Sequence, residues 1–333
     1  MVARRTRPNA AARRPFLLPL LAALLFLIAA CAAPAATLPP DATMSIAPPE
    51  TGTPAAAFPV TLTDDEGTAV TLDAEPQRIV TMTPAATETL FALGIGDRVV
   101  GKVEDFSLYP PEAAAVPDVA AFNSVDVERI VGLNVDLVVA GGNNFNPPDA
   151  IARLRTLGIP VLVTYAADVE TALTDIALIG AATGRADEAT EIVATIQDAF
   201  DRVAAATASL SRPRVFYELD ASNGYFGPAP DSFIAEMIAI AGGEPLTSGT
   251  PGSYEIQPES IVAFDPEVIL LGDAAYGVTV EQVGARPGWS GIKAVVDQAI
   301  RPVDDVVITR PGPRLGAGLL SLVQAIHPDL VLP

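Results

Sequence analysis

Two arginines four residues apart, Arg310 and Arg314 in the run RPGPR, have the reach to clamp a carboxylate or an oxygen-rich chelate through paired N–H donors. Asp304 is a nearby acid that could occupy them instead. The other group suited to binding is a set of aromatics in a chain where they make up only 6%. Phe106, Tyr109, Phe122, Phe145, Tyr225, Phe226, Tyr254 and Tyr276 all fall in or beside loops that follow apolar runs. Thr83, Asn143, Asn144 and Asp273 share those loops. Flat aromatic faces, amides and a few arginines suit a large, partly polar ligand. No catalytic pattern accompanies them. There is no Gly-x-Ser-x-Gly elbow, no phosphate-binding loop and no Gly-x-Gly-x-x-Gly after the first strand. A single histidine, His327, excludes a three-histidine zinc or manganese site by count. A single cysteine, Cys31, excludes an intramolecular disulfide and a thiolate metal cluster. Neither an enzyme activity, a resident metal nor a cofactor is expected.

A second constellation comes from an internal repeat. Val127–Gly141 reads VERIVGLNVDLVVAG, and Pro258–Gly272 reads PESIVAFDPEVILLG. Each copy predicts a short helix, a tight turn and a buried strand. Asp126 is placed to cap the first helix, and Pro258 suits the first position of the second, where its missing N–H would be unpaired anyway. Glu128 and Glu259 then occupy the same helical position. Acids there complement the helix dipole. As a matched, exposed pair they could also present two anchors to a two-fold symmetric partner bearing arginines.

The chain around these groups is acidic. Its formal charge is −20, and without the first thirty residues, which hold five arginines and no acid, −25. Such a surface disfavours nucleic acid and anionic membrane faces. Residues 1–30 run basic, apolar, then small, the plan of an export signal. The apolar run of 15 residues is short for a membrane span of about 20. Residues 31–58, rich in Ala, Pro and Thr, read as a disordered tether.

From there the pattern is α/β. Val60–Leu72 predicts a hairpin, and apolar runs at residues 78–83, 99–103 and 158–163 predict strands separated by helices. The alternation argues two lobes with mainly parallel sheets, at residues 59–165 and 211–333. A helical region at residues 166–210 lies between them. Its second part, Ala186–Ser209, has no Gly or Pro and carries an apolar stripe at Ile192, Val193, Ile196, Phe200 and Val203, so one long helix is expected to join the lobes. Val306-Val307-Ile308 predicts a last strand, and Leu315–Ile326 a terminal helix.

Several motifs resemble a known family. Pro76–Leu90, PQRIVTMTPAATETL, followed by Leu93–Gly101, LGIGDRVVG, is similar to the opening of the periplasmic-binding domain for iron chelates and cobalamin. The first repeat copy resembles that family's Leu-Glu-x-Ile-x-x-Leu-x-Pro-Asp-Leu-Val segment, with Val135 where proline is common. Arg286-Pro287-Gly288-Trp289 and Arg310–Arg314 resemble its later landmarks. Leu27-Ile28-Ala29-Ala30-Cys31 resembles a lipobox, and residues 13–17 bear some likeness to a twin-arginine core, with Sec export the default. The resemblance implies two Rossmann-like lobes joined by one long helix, with the ligand in the cleft between them. It implies delivery to an ABC permease and ATPase, with Glu128 and Glu259 docking on permease arginines. It implies a monomer outside the cytoplasm, held to the membrane by a lipid on Cys31. The implied ligand is a ferric siderophore, which the two arginines favour, or cobalamin. A haem-binding member and an exported sensor or enzyme acting on such a chelate are the alternatives.

Overall fold

The structure is a computed structural model that describes residues 58–332, except for Leu108, Asn143 and Asn144. The expected signal, tether and Cys31 therefore lie outside the described residues. Val60–Thr63 (β1) and Ala69–Leu72 (β2) form the expected antiparallel hairpin. Asp64 in its turn is buried, not solvated as turn acids usually are. It accepts from the Glu66 and Thr68 amides and pairs with Arg155 Nη2 at 2.9 Å.

Two open sheets follow. Ile79–Thr81 (β3), Val99–Val103 (β4), Asp118–Ala121 (β5), Ser124–Val125 (β6), Leu137–Ala140 (β7) and Val161–Val163 (β8) build the first, in the order β6-β5-β4-β3-β7-β8. All its pairings are parallel except β5–β6. In the second lobe Arg214–Glu218 (β9), Glu244–Pro245 (β11), Val268–Leu271 (β13) and Ile300–Pro302 (β14) are parallel throughout, in the order β11-β9-β13-β14. Tyr225–Phe226 (β10) and Glu255–Ile256 (β12) make a separate short antiparallel pair. Each large sheet thus has its first strand inside, with the chain winding outward to both sides. The resulting switch points lie between β3 and β7 and between β9 and β13.

The helices between strands are Pro84–Ala92 (α1), Val127–Gly132 (α2) and Pro148–Thr156 (α3) in the first lobe. Val169–Ala182 (α4) and Ala186–Thr207 (α5) link the sheets. Phe233–Ile240 (α6), Pro258–Phe264 (α7), Val280–Gly284 (α8), Lys293–Val296 (α9), Asp305–Thr309 (α10) and Leu315–Ile326 (α11) belong to the second. At about 1.5 Å per residue α5 spans roughly 33 Å. Its stripe of Val193, Ile196, Phe200 and Val203 is buried, as its spacing predicts.

Strand alternation divides the interior into three layers. Ile79, Leu137 and Val139 of the first sheet, and Val215, Tyr217, Val268 and Leu270 of the second, belong to one continuous core that includes α4, α5, α6 and α11. Val80, Val138 and Ala140 point instead to a core under α2 and α3. Phe216, Ile269 and Leu271 point to a third, with Trp289. The lobes therefore share one central apolar layer.

The repeat is a real structural duplication. Asp126 caps α2 through the Arg129 amide, and Pro258 opens α7. Asn134 and Asp265, at matching positions, both adopt the left-handed conformation, with φ of 50° and 49°. Asp136 then accepts from the Gln77 and Arg78 amides, and Glu267 from the Arg214 amide. Arg78 and Arg214 in turn donate to the carbonyls that end α2 and α7. The expected last strand at 306–308 is instead helix α10. Asp304 caps it through the Val307 amide, and the Thr309 hydroxyl donates back to the Asp305 carbonyl, so local bonds override the β preference of Val-Val-Ile.

Candidate functional site

Parallel strands deliver their following loops to one edge of each sheet, and the crevice opens at the switch point. In the first lobe that point is closely built. The Thr83 hydroxyl caps α1, accepting from the Ala86 amide at 3.2 Å. Gly141, directly after β7, has no room for a side chain, because a Cβ there would lie 2.5 Å from Thr83 Cγ2. The buried Asn146 accepts from the Gly141 amide at 2.8 Å and donates to the Met82 carbonyl at 3.1 Å, tying the β7 loop to the end of β3.

Between the lobes lies a cavity of about 340 Å³. Its first-lobe wall holds Thr83, Thr89, Phe145 and Tyr165, its floor is Asp175, Ile176 and Ile179 of α4, and its second-lobe wall is Phe233, Ile234, Tyr254, Thr309 and Arg310. Of the residues singled out in the sequence, Thr83, Phe145, Tyr254 and Arg310 meet here. Phe106, Phe122 and Tyr276 stand after β4, β5 and β13, exposed by 82%, 73% and 75%. Tyr225 packs at 5.4 Å on the buried Trp289, with the Arg286 guanidinium 5.1 Å from its ring centre, and does not line the cavity. Phe226, beside it in β10, is half-buried. Asn143 and Asn144 lie outside the described residues.

Arg310 and Arg314 are both paired within the chain. Arg310 donates to Asp105 at 2.6 and 2.8 Å and to Glu88 at 2.8 Å. Arg314 donates to both oxygens of Glu88, at 2.7 and 2.8 Å, and its guanidinium lies 3.7 Å from the Tyr109 ring centre. The partners come from the other lobe, not from Asp304 nearby in sequence. The Glu88 side chain is 1% exposed. Burial alone would raise the Asp105 carboxyl, but bonds from Arg310 and Ser107 outweigh it and hold it below the ordinary value. Two positive and two negative groups cancel, so the cleft carries no net charge from them.

Two further acids have raised pKa values. Asp273, at the second switch point, is buried without a hydrogen-bond partner. Burial and the neighbouring Glu218 push it up to about 6, partly offset by Arg286, which is held bidentately by Glu218 at 2.5 and 2.7 Å. Burial, then the charge of Asp65, pushes Asp175 in the cavity floor up to about 9. At neutral pH it is a carboxylic acid, and its buried Oδ1 has no hydrogen-bond partner. Glu88, Asp105, Tyr165 and Asp175 are not among the residues the sequence nominated. Asp175 carried a signal: it shares helical spacing with the buried Ala172 and Ile179, so an acid falls on an apolar face. Among the described residues no cluster of three or more His, Cys, Asp or Glu is placed to hold a metal ion, and no helix is long and apolar enough to cross a membrane.

Glu88→Ala would leave two mostly buried guanidiniums without their shared acceptor. It is expected to cost about 3 kcal/mol in urea unfolding. A loss under about 1 kcal/mol would mean that the network is effectively solvated.

Comparison with known proteins agrees with the geometry. The family model described as periplasmic binding protein matches residues 79–305. A Bacillus subtilis protein named as an uncharacterized ABC transporter substrate-binding lipoprotein is 33% identical over 277 residues, covering 82% of this chain and 87% of its own length. A Halobacterium salinarum cobalamin-binding protein is 33% identical over 284 residues, covering 82% and 75%. The crystal structure of a periplasmic vitamin B12 binding protein from Vibrio cholerae superposes with a TM-score of 0.66 at 22% identity, covering 75% of this chain and 96% of that one, a likeness of fold alone. With the first lobe's switch point opening on a cavity that the second lobe helps to line, and a family match over most of the described residues, the chain belongs to the periplasmic binding protein family.

Proposed function

We propose that this chain captures a corrinoid between its lobes and hands it, unaltered, to the permease of an ABC importer. The observation that carries the ligand class is the paired state of Arg310 and Arg314. An anionic ferric chelate needs uncompensated positive charge in the cleft, whereas these guanidiniums are matched by Glu88 and Asp105. What the cleft offers is aromatic surface: Phe145, Tyr165 and Tyr254 in the cavity, with Phe106, Phe122 and Tyr276 on strand-end loops. That surface suits a large ligand of low net charge whose rim is polar. The cobalamin-binding name of the Halobacterium relative adds support. A cavity of about 340 Å³ is smaller than such a ligand, so part of it would enter and the rest lie across the mouth.

The chain works as a monomer outside the cytoplasm, tethered through a lipid on Cys31. Glu128 and Glu259 are exposed at the start of α2 and α7. Glu128 pairs with the exposed Arg153, at 2.7 Å, a contact of little worth that a permease arginine would readily replace.

A corrinoid that binds only the folded chain raises its melting temperature by mass action. Cyanocobalamin is expected to do so in a thermal-shift panel, with ferric siderophores and haem inert; the reverse ranking would reject the ligand class. In cells, Glu128→Arg with Glu259→Arg is expected to abolish uptake and leave ligand affinity intact, and unchanged uptake would reject the docking role. Cys31→Ser is expected to move the protein from the membrane to the soluble fraction; continued membrane retention would refute the anchor.

A further inference from the structure

Only four residues are identical between the two copies of the repeat: Glu128 with Glu259, Ile130 with Ile261, Val131 with Val262, and Gly141 with Gly272. Folding accounts for two of these pairs. Ile130 and Ile261 are fully buried, one beneath each sheet. Gly141 and Gly272 each end a buried strand where a Cβ would collide, in the second case at 2.8 Å from the Tyr217 ring and 2.9 Å from the Glu218 carbonyl oxygen.

Burial accounts for neither of the other two pairs, although a first-turn acid also complements the helix dipole. The glutamates are exposed, and so are the valines, by 41% at Val131 and 44% at Val262. An exposed valine in a helix is a poor choice for stability, since its branched side chain loses rotamer freedom that alanine does not have to lose. Residues three apart lie on one helical face. Each lobe therefore presents an acid and an apolar side chain side by side, in the same order and at the same place on a duplicated element. A partner reading both lobes must itself offer the same site twice.

We infer that Val131 and Val262 are contact residues of the docking surface, each seating in an apolar socket beside the basic side chain that receives Glu128 or Glu259, on a membrane partner built from two copies of one subunit. The inference rests on the docking reading of the two glutamates and adds to it. The acids supply steering and register, weakened by salt; the valines supply contact area that salt does not weaken.

The test measures binding of the full, ligand-loaded chain to its permease–ATPase complex in nanodiscs, at low and high salt. Val131→Ser and Val262→Ser are each expected to weaken binding about fivefold, and the double variant about 25-fold, at both salt concentrations. Glu128→Gln with Glu259→Gln is expected to weaken binding chiefly at low salt. Melting temperature and ligand affinity of the valine variants should match the parent chain, which separates lost contact from lost folding. If the double valine variant docks like the parent while the double glutamate variant does not, the valine contact is refuted and the docking reading survives. If both double variants dock like the parent, both fail.

Discussion

The structure turns on one buried carboxylate. Glu88, inside the first helix of the first lobe, is gripped by Arg310 and Arg314 from the opposite end of the chain, while Asp105 takes the remaining face of Arg310. A carboxylate so enclosed is tolerable only while its partners stay, because an unpaired buried charge costs several kcal/mol. The network therefore fixes where the RPGPR segment lies against α1, and with it one wall of the cleft. Tyr109 extends the grip by lying against Arg314. The same contacts that join the lobes also remove the charge that would otherwise have drawn an anionic ligand.

The central apolar layer works in the same direction. One core runs from the inner face of the first sheet through α4 and α5 to the inner face of the second. The lobes are not two beads on a single rod, since α5 packs on α4 and α11 along its length and α1 on α4. Large separation of the lobes would expose this layer at a cost of about 25 cal/mol for every Å² of apolar surface. Such an architecture favours a cleft that is largely formed before its ligand arrives, which reduces the ordering that binding must impose.

Much of this was legible in the sequence, for definable reasons. The period of the apolar residues located the main strands and the linking helix, whose stripe from Val193 to Val203 is continuous. The repeat located α2, β7, α7 and β13, and even its polar pair matched, since Asn134 and Asp265 fill the same left-handed turn. What stayed hidden depended on distance or on competition between local forces. Nothing local marks Glu88 as the partner of residues 222 and 226 positions away. Val306-Val307-Ile308 has strand composition, but the Asp304 cap and the Thr309 hydroxyl wind it into α10. Tyr225 has the composition of a ligand contact, but Trp289 and Arg286 enclose it.

The central claim is that the cleft selects a large ligand of low net charge over an anionic chelate, because its arginines are already paired. Native mass spectrometry of the purified chain, incubated with equimolar cyanocobalamin and a ferric tris-catecholate, tests this directly. The account predicts a one-to-one complex with the corrinoid and no appreciable occupancy by the chelate. A spectrum dominated by the ferric chelate would contradict it.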